Sequence, residues 1–174
     1  MPETLVKYGG IETPVGPLSV LTDGEAILRM DYGTIKDLTE KYRAWTMRYF
    51  TEPIFIEDQS LVSSLTEEVS AYFQNRCRTF SVPLKTYGTD FQKSVWEALV
   101  NTIPYGETRT YKDIAQTIGK EKAVRAVGGA VNKNPISIII PCHRVIGTNG
   151  KMVGYNGGLD KKEHLLNLES LVVQ

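Results

Sequence analysis

The sequence TYKDIAQTIGKEKAVRAVGGAVN, residues 110–132, has the pattern of two short helices joined by a tight turn. Thr110 can cap the first helix, with Asp113 in the capping-box position three residues later, and Gly119 can end it. The second helix is predicted over residues 121–132. Two short helices around a glycine-containing turn are typical of the helix-turn-helix, a unit found in many DNA-binding domains.

The second helix of this pair has an unusual surface. Its inward stripe is expected to consist of Val124, Val127 and Val131. Arg125 lies off that stripe, among residues with almost no side chain (Ala126, Gly129 and Ala130). Such a helix suits close approach to a shallow or narrow groove, with Arg125 as a wedging group. Small residues also permit tight helix packing, and the pattern alone does not separate these two interpretations.

Residues 1–88 predict a compact α+β scaffold domain built on a small antiparallel sheet. The expected extended segments are residues 5–12, 18–21, 26–30 and 53–56. One helix is expected between residues 34 and 47. A longer helix follows Asp58 and keeps apolar residues at helical spacing (Leu61, Leu65, Val69, Tyr72 and Phe73). Residues 75–88, which include Pro83 and Gly88, are the predicted linker.

Residues 89–174 predict a second, mostly helical domain. Thr89 or Asp90 can cap a helix with a regularly spaced buried face (Phe91, Val95, Ala98 and Leu99). Further elements are a strand at residues 136–140, a hairpin or wing at residues 145–153 and a final helix from Asp160 to about Leu171. The predicted fold class is therefore α+β, with a small N-terminal antiparallel sheet and helices followed by a C-terminal helical winged helix-turn-helix domain.

Composition restricts the class of protein. The 174 residues are 41% hydrophobic and 23% charged, which is ordinary for a globular protein. The longest apolar runs are only a few residues and the N-terminus lacks a secretory signal, so we expect a cytoplasmic monomer without a membrane partner. Two cysteines and two histidines are too few for a disulfide framework or a zinc site, so no metal is expected.

The formal net charge of zero hides an uneven distribution along the chain. Between residues 105 and 151, eight basic residues stand against three acidic ones. A basic segment in a neutral chain indicates a local anionic partner, although a solvated face of the protein gives the same count.

Cys142 and its neighbour His143 are the candidate chemical groups. Cys142 follows a proline at the end of the predicted strand, a placement typical of a nucleophile, whereas most cysteines are small buried hydrophobes. Because neighbours in an extended chain point to opposite sides, a bridging water would carry the thiol proton to His143. Glu169 shares a helix face with Leu165 and either orients His143 or extends into solvent near the helix end.

The segments around Cys142 together resemble one family. IPCHRV, residues 140–145, follows RAVGGA (residues 125–130) and Asn134-Pro135, and it precedes GYNGGL (residues 154–159). This arrangement resembles the O6-alkylguanine-DNA alkyltransferases, also called methylated-DNA–protein-cysteine methyltransferases. The similarity runs from about Phe91 to Glu169, and the N-terminal half fits more loosely.

The resemblance implies DNA repair by direct reversal of damage. Such a protein binds duplex DNA through the minor groove and flips the damaged base out of the stack. It then transfers the alkyl group of O6-alkylguanine, and also of O4-alkylthymine, to its own cysteine. The transfer is irreversible, ends after one turnover and needs no cofactor.

The resemblance also implies catalytic roles for individual residues. Cys142 would accept the alkyl group, His143 would deprotonate it through a water, and Glu169 would orient His143. Asn134 would brace the turn between the second helix of the pair and the active-site strand.

Further residues are implied for the base pocket and the DNA contact. Tyr111 would donate its hydroxyl to a ring nitrogen of the base, the backbone of Val145 would accept from the exocyclic amine, and Asn156 would lie over the alkylated oxygen. Arg125 would fill the space that the base leaves. Lys162 would hold the loop of the pocket that contains Tyr155, Asn156 and Gly157. The remaining DNA contacts are expected from Thr110, Tyr111, Ala126, Gly128 and Gly129.

The sequence leaves two alternatives open, a non-catalytic protein that recognises alkylated DNA and a hydrolase that uses Cys142 and His143. The first would carry another residue at position 142, and the second would turn over many times on an ester or amide. Cys77, between Arg76 and Arg78, is expected to be an incidental linker thiol rather than a second acceptor.

Overall fold

The structure is a computed structural model that describes residues 4–170, apart from the side chains of Gln59 and Leu61. The chain forms two compact units, one that ends at Tyr87 and one that begins at Gly88. Within the described residues, no helix combines the length and the apolar character needed to cross a lipid bilayer.

The N-terminal unit is built on a four-stranded sheet in the order β3-β2-β1-β4. The strands are β1 (Leu5–Thr13), β2 (Gly16–Thr22), β3 (Ile27–Tyr32) and β4 (Ile54–Glu57). β1, β2 and β3 pair antiparallel as predicted, whereas β4 pairs parallel to β1. The sheet is therefore mixed, because helix α1 (Ile35–Tyr49) carries the chain back between β3 and β4.

Two helical segments complete the N-terminal unit. Thr34 caps α1 through a capping box with Asp37, and the helix packs Tyr42 against the buried face of the sheet (Val6, Leu21 and Leu28). Asp58 caps a 3-10 turn (Gln59–Val62), and α2 (Ser63–Phe73) follows this turn. The predicted buried face of α2 is confirmed at Leu65, Val69 and Tyr72, while the side chain of Leu61 lies outside the described part.

The predicted linker is partly attached to the sheet. Ile27 donates its backbone N–H to the Pro83 carbonyl (2.8 Å) and accepts from the Lys85 N–H (3.0 Å). Tyr87 packs edge-on against Trp45 and Phe50, with ring centroids 5.8 and 5.2 Å apart. The segment before Gly88 thus covers the start of the β3 edge and satisfies the backbone groups of Ile27.

The C-terminal unit is mostly helical, as predicted. Its helices are α3 (Asp90–Thr102), α4 (Tyr111–Thr117), α5 (Val124–Asn132) and α6 (Leu159–Ser170). Thr89 caps α3 and Thr110 caps α4, each through a capping box. Two-residue strands, β5 (Arg109–Thr110) and β6 (Val145–Ile146), pair in parallel. The predicted α+β class is confirmed.

Three local predictions in this unit differ from the structure. α5 begins at Val124 rather than at residue 121, because residues 120–123 form a turn that the Ala123 N–H closes on the Lys120 carbonyl (2.9 Å). Residues 136–140 form buried tight turns instead of a strand, with Ile138 at φ +72°. In residues 145–153 the only strand is β6; Gly147 donates to the Lys151 carbonyl, but no returning strand forms.

Smaller differences concern helix faces and ends. Phe91 is half-buried rather than part of the core, and Lys120 lies 5.7 Å from its ring centroid. The predicted end of α6 at Leu171 lies outside the described residues. The rest of the predicted α3 face is confirmed, since Val95, Ala98 and Leu99 are buried.

Trp96 joins α3 to α5, because its Nε1 donates to the Ala130 carbonyl across 2.9 Å in the buried core. We expect W96F to lower the free energy of unfolding of this unit by about 1–3 kcal/mol, through the lost hydrogen bond and the smaller ring. Urea denaturation followed by circular dichroism measures the loss. An unchanged unfolding midpoint would show that this bond does not hold the two helices together.

Candidate active site

Cys142 lies at the start of a 3-10 turn, Cys142–Arg144, directly after Pro141. The predicted strand before it is absent, and the turns of residues 136–140 deliver the chain instead. Cys142 donates its backbone N–H to the Ile140 carbonyl (2.8 Å), and only 4% of the residue is exposed. The thiol is therefore held in a nearly dry environment.

Asn134 closes the segment that leads to this cysteine. Its Nδ2 donates to the Ile140 carbonyl (2.8 Å) and to Sγ of Cys142 (2.9 Å), while its Oδ1 accepts from the Ile136 N–H (2.9 Å). One buried amide thus fixes both ends of the turn and contacts the sulfur. This is the place predicted for a bracing residue.

The surroundings of the thiol favour its neutral form. Burial raises the pKa of Cys142 to about 11, although the Asn134 hydrogen bond and the charge of Lys162 lower it in part. At neutral pH the group is a thiol, so nucleophilic chemistry at this sulfur needs a base.

His143 and Glu169 form a buried hydrogen-bonded pair, with 2.7 Å between Nε2 and Oε2. Burial alone would raise the pKa of Glu169. Hydrogen bonds and charges from His143 and Arg144 outweigh the effect of burial and lower this pKa to about 2. Because the carboxylate is ionised, Nε2 must carry the proton. Nδ1 is then the basic nitrogen, and it makes no hydrogen bond within residues 4–170.

Burial lowers the pKa of His143 below its ordinary value, and the Glu169 contact opposes this only in part. The imidazole is therefore neutral at pH 7 and ready to accept a proton. The pairing of His143 with Glu169 is one of the two arrangements that the sequence left open, whereas the contact of Arg144, which donates from Nε to Oε1 of Glu169 (2.8 Å), was not predicted. The sequence feature that could have pointed to Arg144 as a site residue is its position between His143 and Val145 in the IPCHRV segment.

Tyr111 and Lys162 meet at one backbone carbonyl. The Tyr111 hydroxyl donates to the Val153 carbonyl (3.4 Å), and Lys162 Nζ donates to the same carbonyl (3.0 Å) and to that of Val145 (2.6 Å). Burial raises the pKa of Tyr111, so its hydroxyl stays protonated as a donor. The Val145 carbonyl keeps a second lone pair for another donor.

The predicted loop contact of Lys162 is corrected by this geometry. Lys162 is fully buried and holds the carbonyls of Val145 and Val153, which lie before the loop. The loop itself is held by Lys161, whose Nζ donates to the Gly157 carbonyl (3.0 Å). In that loop Tyr155 and Gly157 are half-buried and Asn156 is exposed.

The exposed face of α5 carries the predicted DNA-contacting residues. Arg125, Ala126 and Gly129 are exposed and Gly128 is half-buried, while the inward stripe is fully buried only at Val127 and Val131. Thr110 differs from the other predicted contacts. Its hydroxyl accepts from the Asp113 N–H (3.0 Å) and its N–H donates to the Asp113 carboxylate (2.9 Å), so both groups serve the cap of α4.

Comparison with known proteins places the chain among close relatives. Residues 6–86 match the ribonuclease-like domain of 6-O-methylguanine DNA methyltransferase, and residues 90–171 match its DNA binding domain. The methylated-DNA–protein-cysteine methyltransferase of Methanosarcina barkeri is 47% identical over 162 residues, which cover 93% of this chain and 96% of that protein. The protein of the same name from Mycobacterium tuberculosis is 41% identical over 165 residues, 95% of this chain and 93% of that protein.

A solved structure agrees with this similarity. The crystal structure of Mycobacterium tuberculosis OGT in complex with DNA superposes with a TM-score of 0.81 at 40% sequence identity, covering 95% of this chain and 93% of that one. The predicted arrangement, a C-terminal helical DNA-binding domain after an N-terminal sheet, is confirmed.

The contact between Asn134 and Cys142 generates a prediction about the thiol. N134D keeps the acceptor for the Ile136 N–H but removes the donor to Sγ and adds a negative charge beside it. We expect the pKa of Cys142 to rise by at least about one unit, with roughly tenfold less thiolate at a given pH below it.

Iodoacetamide labelling across pH 7–10, resolved by peptide mass spectrometry, measures this change. Cys77, a half-buried free thiol on the other unit, is the internal control and should label as in the wild-type protein. Equal labelling of Cys142 in both proteins would contradict the role of the Asn134 amide.

Proposed function

The chain belongs to the methylated-DNA–protein-cysteine methyltransferase family, and from this premise we propose that it transfers the alkyl group of O6-alkylguanine irreversibly to its own Cys142. The activity is DNA repair by alkyl transfer to a protein cysteine, and its partner is double-stranded DNA. The proposal assigns the acceptor, the groups that activate it and the single turnover.

One observation carries the assignment of the acceptor. Cys142 and His143 are consecutive residues of one turn. The sulfur of Cys142 accepts a hydrogen bond from Asn134, and His143 is a buried neutral base. The protonated thiol needs a base in order to react, and Nδ1 of His143 is a basic nitrogen that has no hydrogen-bond partner among residues 4–170. The proposed connection between them is one bridging water.

The transfer conserves atoms and electrons. The thiol proton passes through the water to Nδ1 of His143, and the thiolate attacks the alkyl carbon attached to O6. A carbon–sulfur bond forms while the carbon–oxygen bond breaks, and the bonding electron pair remains with the guanine. The proton removed from the thiol finally replaces the alkyl group on the guanine, and Cys142 remains as a thioether.

The polar groups near the sulfur support this step. The Tyr111 hydroxyl, a protonated donor, moves from the Val153 carbonyl to a ring nitrogen of the flipped base and stabilises the charge that develops there. The carbonyls of Val145 and Cys142 accept from the exocyclic amine of the base. Lys162 holds the Val145 carbonyl in place for that contact.

Arg125 has a separate role in the proposal. It projects from the exposed, small-residue face of α5 into the minor groove and fills the space of the extruded base. Ala126, Gly128 and Gly129 allow the helix backbone to approach the groove closely. The basic segment between residues 105 and 151 contacts the phosphates without regard to sequence.

The single turnover follows from the chemistry of the product. A thioether is a poor leaving group, so the alkyl group stays on the sulfur and the site is used once. We also infer activity on O4-alkylthymine, because its alkyl group is likewise attached to an exocyclic oxygen of the base ring. A monomeric protein is inferred because one chain contains every group that the proposed step uses. A cytoplasmic location is inferred from the need to keep the acceptor a free thiol.

Mass spectrometry of the protein after incubation with a duplex that contains O6-methylguanine tests the acceptor. We expect one added methyl group per protein, located on the Cys142 peptide. C142S should gain none while binding the duplex with unchanged affinity, because the hydroxyl is a much weaker nucleophile. Methylation of another residue would move the acceptor, and repeated turnover would support a hydrolase.

The role of Arg125 predicts a difference between two substrates. R125A should slow methyl transfer from duplex DNA by on the order of tenfold or more, since the base must then be flipped without a group to fill its space. Transfer from free O6-methylguanine should change little. Single-turnover rates on both substrates give the comparison, with K36A, which removes an exposed charge on α1 of the other unit, as control. Equal losses on both substrates would contradict the wedge.

A further inference from the structure

Arg144 makes an extensive set of buried contacts that the proposed steps do not use. Its Nε donates to Oε1 of Glu169 (2.8 Å) and its Nη2 donates to Oε2 (3.0 Å), a two-point contact between guanidinium and carboxylate. The same Oε2 accepts from Nε2 of His143 (2.7 Å). Glu169 is therefore held simultaneously by two consecutive residues of one turn.

The remaining contacts of Arg144 tie it to a different part of the unit. Its Nη1 donates to the carbonyl of Ile103, the residue that ends α3, across 2.8 Å. Its guanidinium lies 5.7 Å from the ring centroid of Tyr105. Only 7% of Arg144 is exposed, so the guanidinium is anchored on three sides inside the protein.

This arrangement determines which histidine nitrogen can act as a base. The two-point contact with Arg144 stabilises the ionised form of Glu169 and helps to lower its pKa, so the carboxylate carries no proton at neutral pH. His143 must then donate to it from Nε2, and Nδ1 is left with its lone pair. A lysine at position 144 would provide charge without the planar fork, and an uncharged side chain would provide neither.

We propose that Arg144 is a positioning residue of the transfer site, which locks Glu169 as an ionised acceptor and thereby fixes His143 in the Nε2–H form with Nδ1 as the base. The inference rests on the proposed function, in which Nδ1 of His143 receives the thiol proton of Cys142. It adds a residue that acts on the base, His143, through its contact with Glu169 and through its own positive charge.

The charges around His143 define the expected direction of its titration. Glu169 favours the imidazolium, whereas Arg144 and Lys162 disfavour it, and Cys142 is neutral at pH 7. Glu107 and Glu169 are the carboxylates among the described residues that line one 330 Å³ cavity. Removing the positive charge at position 144 therefore raises the pKa of His143, and the neutral base is lost at a higher pH than in the wild-type protein.

Histidine nitrogen NMR on the full chain tests the proposal directly. The sequence holds two histidines, so the spectrum of ¹⁵N-histidine-labelled protein contains two imidazoles, and H164Q assigns them. We expect the wild-type His143 as a neutral Nε2–H imidazole at pH 7, titrating below its ordinary range. R144Q should raise its pKa by roughly one unit. An Nδ1–H form or an imidazolium at pH 7 in the wild-type protein would overturn the proposal.

Transfer rates give the second readout. R144K retains the charge, so the pKa of His143 should remain close to the wild-type value, while the plateau rate at high pH falls on the order of tenfold because the fork is lost. In R144Q the acidic limb of the pH–rate profile should move upward by the same amount as the NMR titration. Wild-type rates and wild-type titration in R144K and R144Q would refute the role of Arg144.

Arg29 supplies a matched control. It makes the same kind of buried fork, with Asp31 (2.9 and 2.7 Å), in the other unit of the chain. R29K should leave the titration of His143 and the transfer rate per folded protein unchanged, and equal effects of R29K and R144K would reduce Arg144 to a structural role.

If R144Q does not fold, the tautomer of His143 in the wild-type protein and the plateau rate of R144K still test the proposal. Absence of methyl transfer in the wild-type protein would contradict the proposed function without altering the NMR result.

Discussion

The C-terminal unit is organised around one buried negative charge, the carboxylate of Glu169. A carboxylate that is only 2% exposed is tolerated only if its oxygens are fully used, because burial of an unpaired charge costs several kcal/mol. His143 and Arg144 meet this demand from consecutive positions. The turn that carries them must therefore face α6, and the position of Cys142 at the start of that turn is fixed with it.

The same requirement explains the irregular backbone before Cys142. Residues 136–140 are almost entirely buried without the hydrogen bonds of a sheet, so their polar groups need other partners. Asn134 provides a donor and an acceptor to this segment, and the tight turns satisfy part of the remainder. Asn134 also donates to Sγ of Cys142, so the residue that satisfies these backbone groups contributes to the environment of the thiol as well.

Local signals allowed much of this architecture to be predicted from the sequence. The capping boxes at Thr89 and Thr110 set helix starts through contacts three residues apart, and such contacts are visible in a sequence. The errors at residues 136–140 and in the parallel pairing of β4 have another origin. An apolar run such as ISIII suits a strand and a buried turn equally, and strand direction depends on where α1 returns the chain. Arg144 was missed because arginines are mostly exposed, and nothing in the local pattern marks this one as buried.

The electrostatics of the site describe a thiol that is unreactive until a substrate arrives. With its pKa near 11, Cys142 carries almost no thiolate at neutral pH, so free electrophiles in solution meet a poor nucleophile. With the single turnover that we propose, a permanent thiolate would be consumed by every such encounter. Neutral His143 can accept the thiol proton, and its tautomer is set by the buried Glu169 and Arg144 rather than by solvent. In the proposed mechanism, reactivity is a property of the assembled complex, in which the bound base places its alkyl carbon against the sulfur that His143 deprotonates.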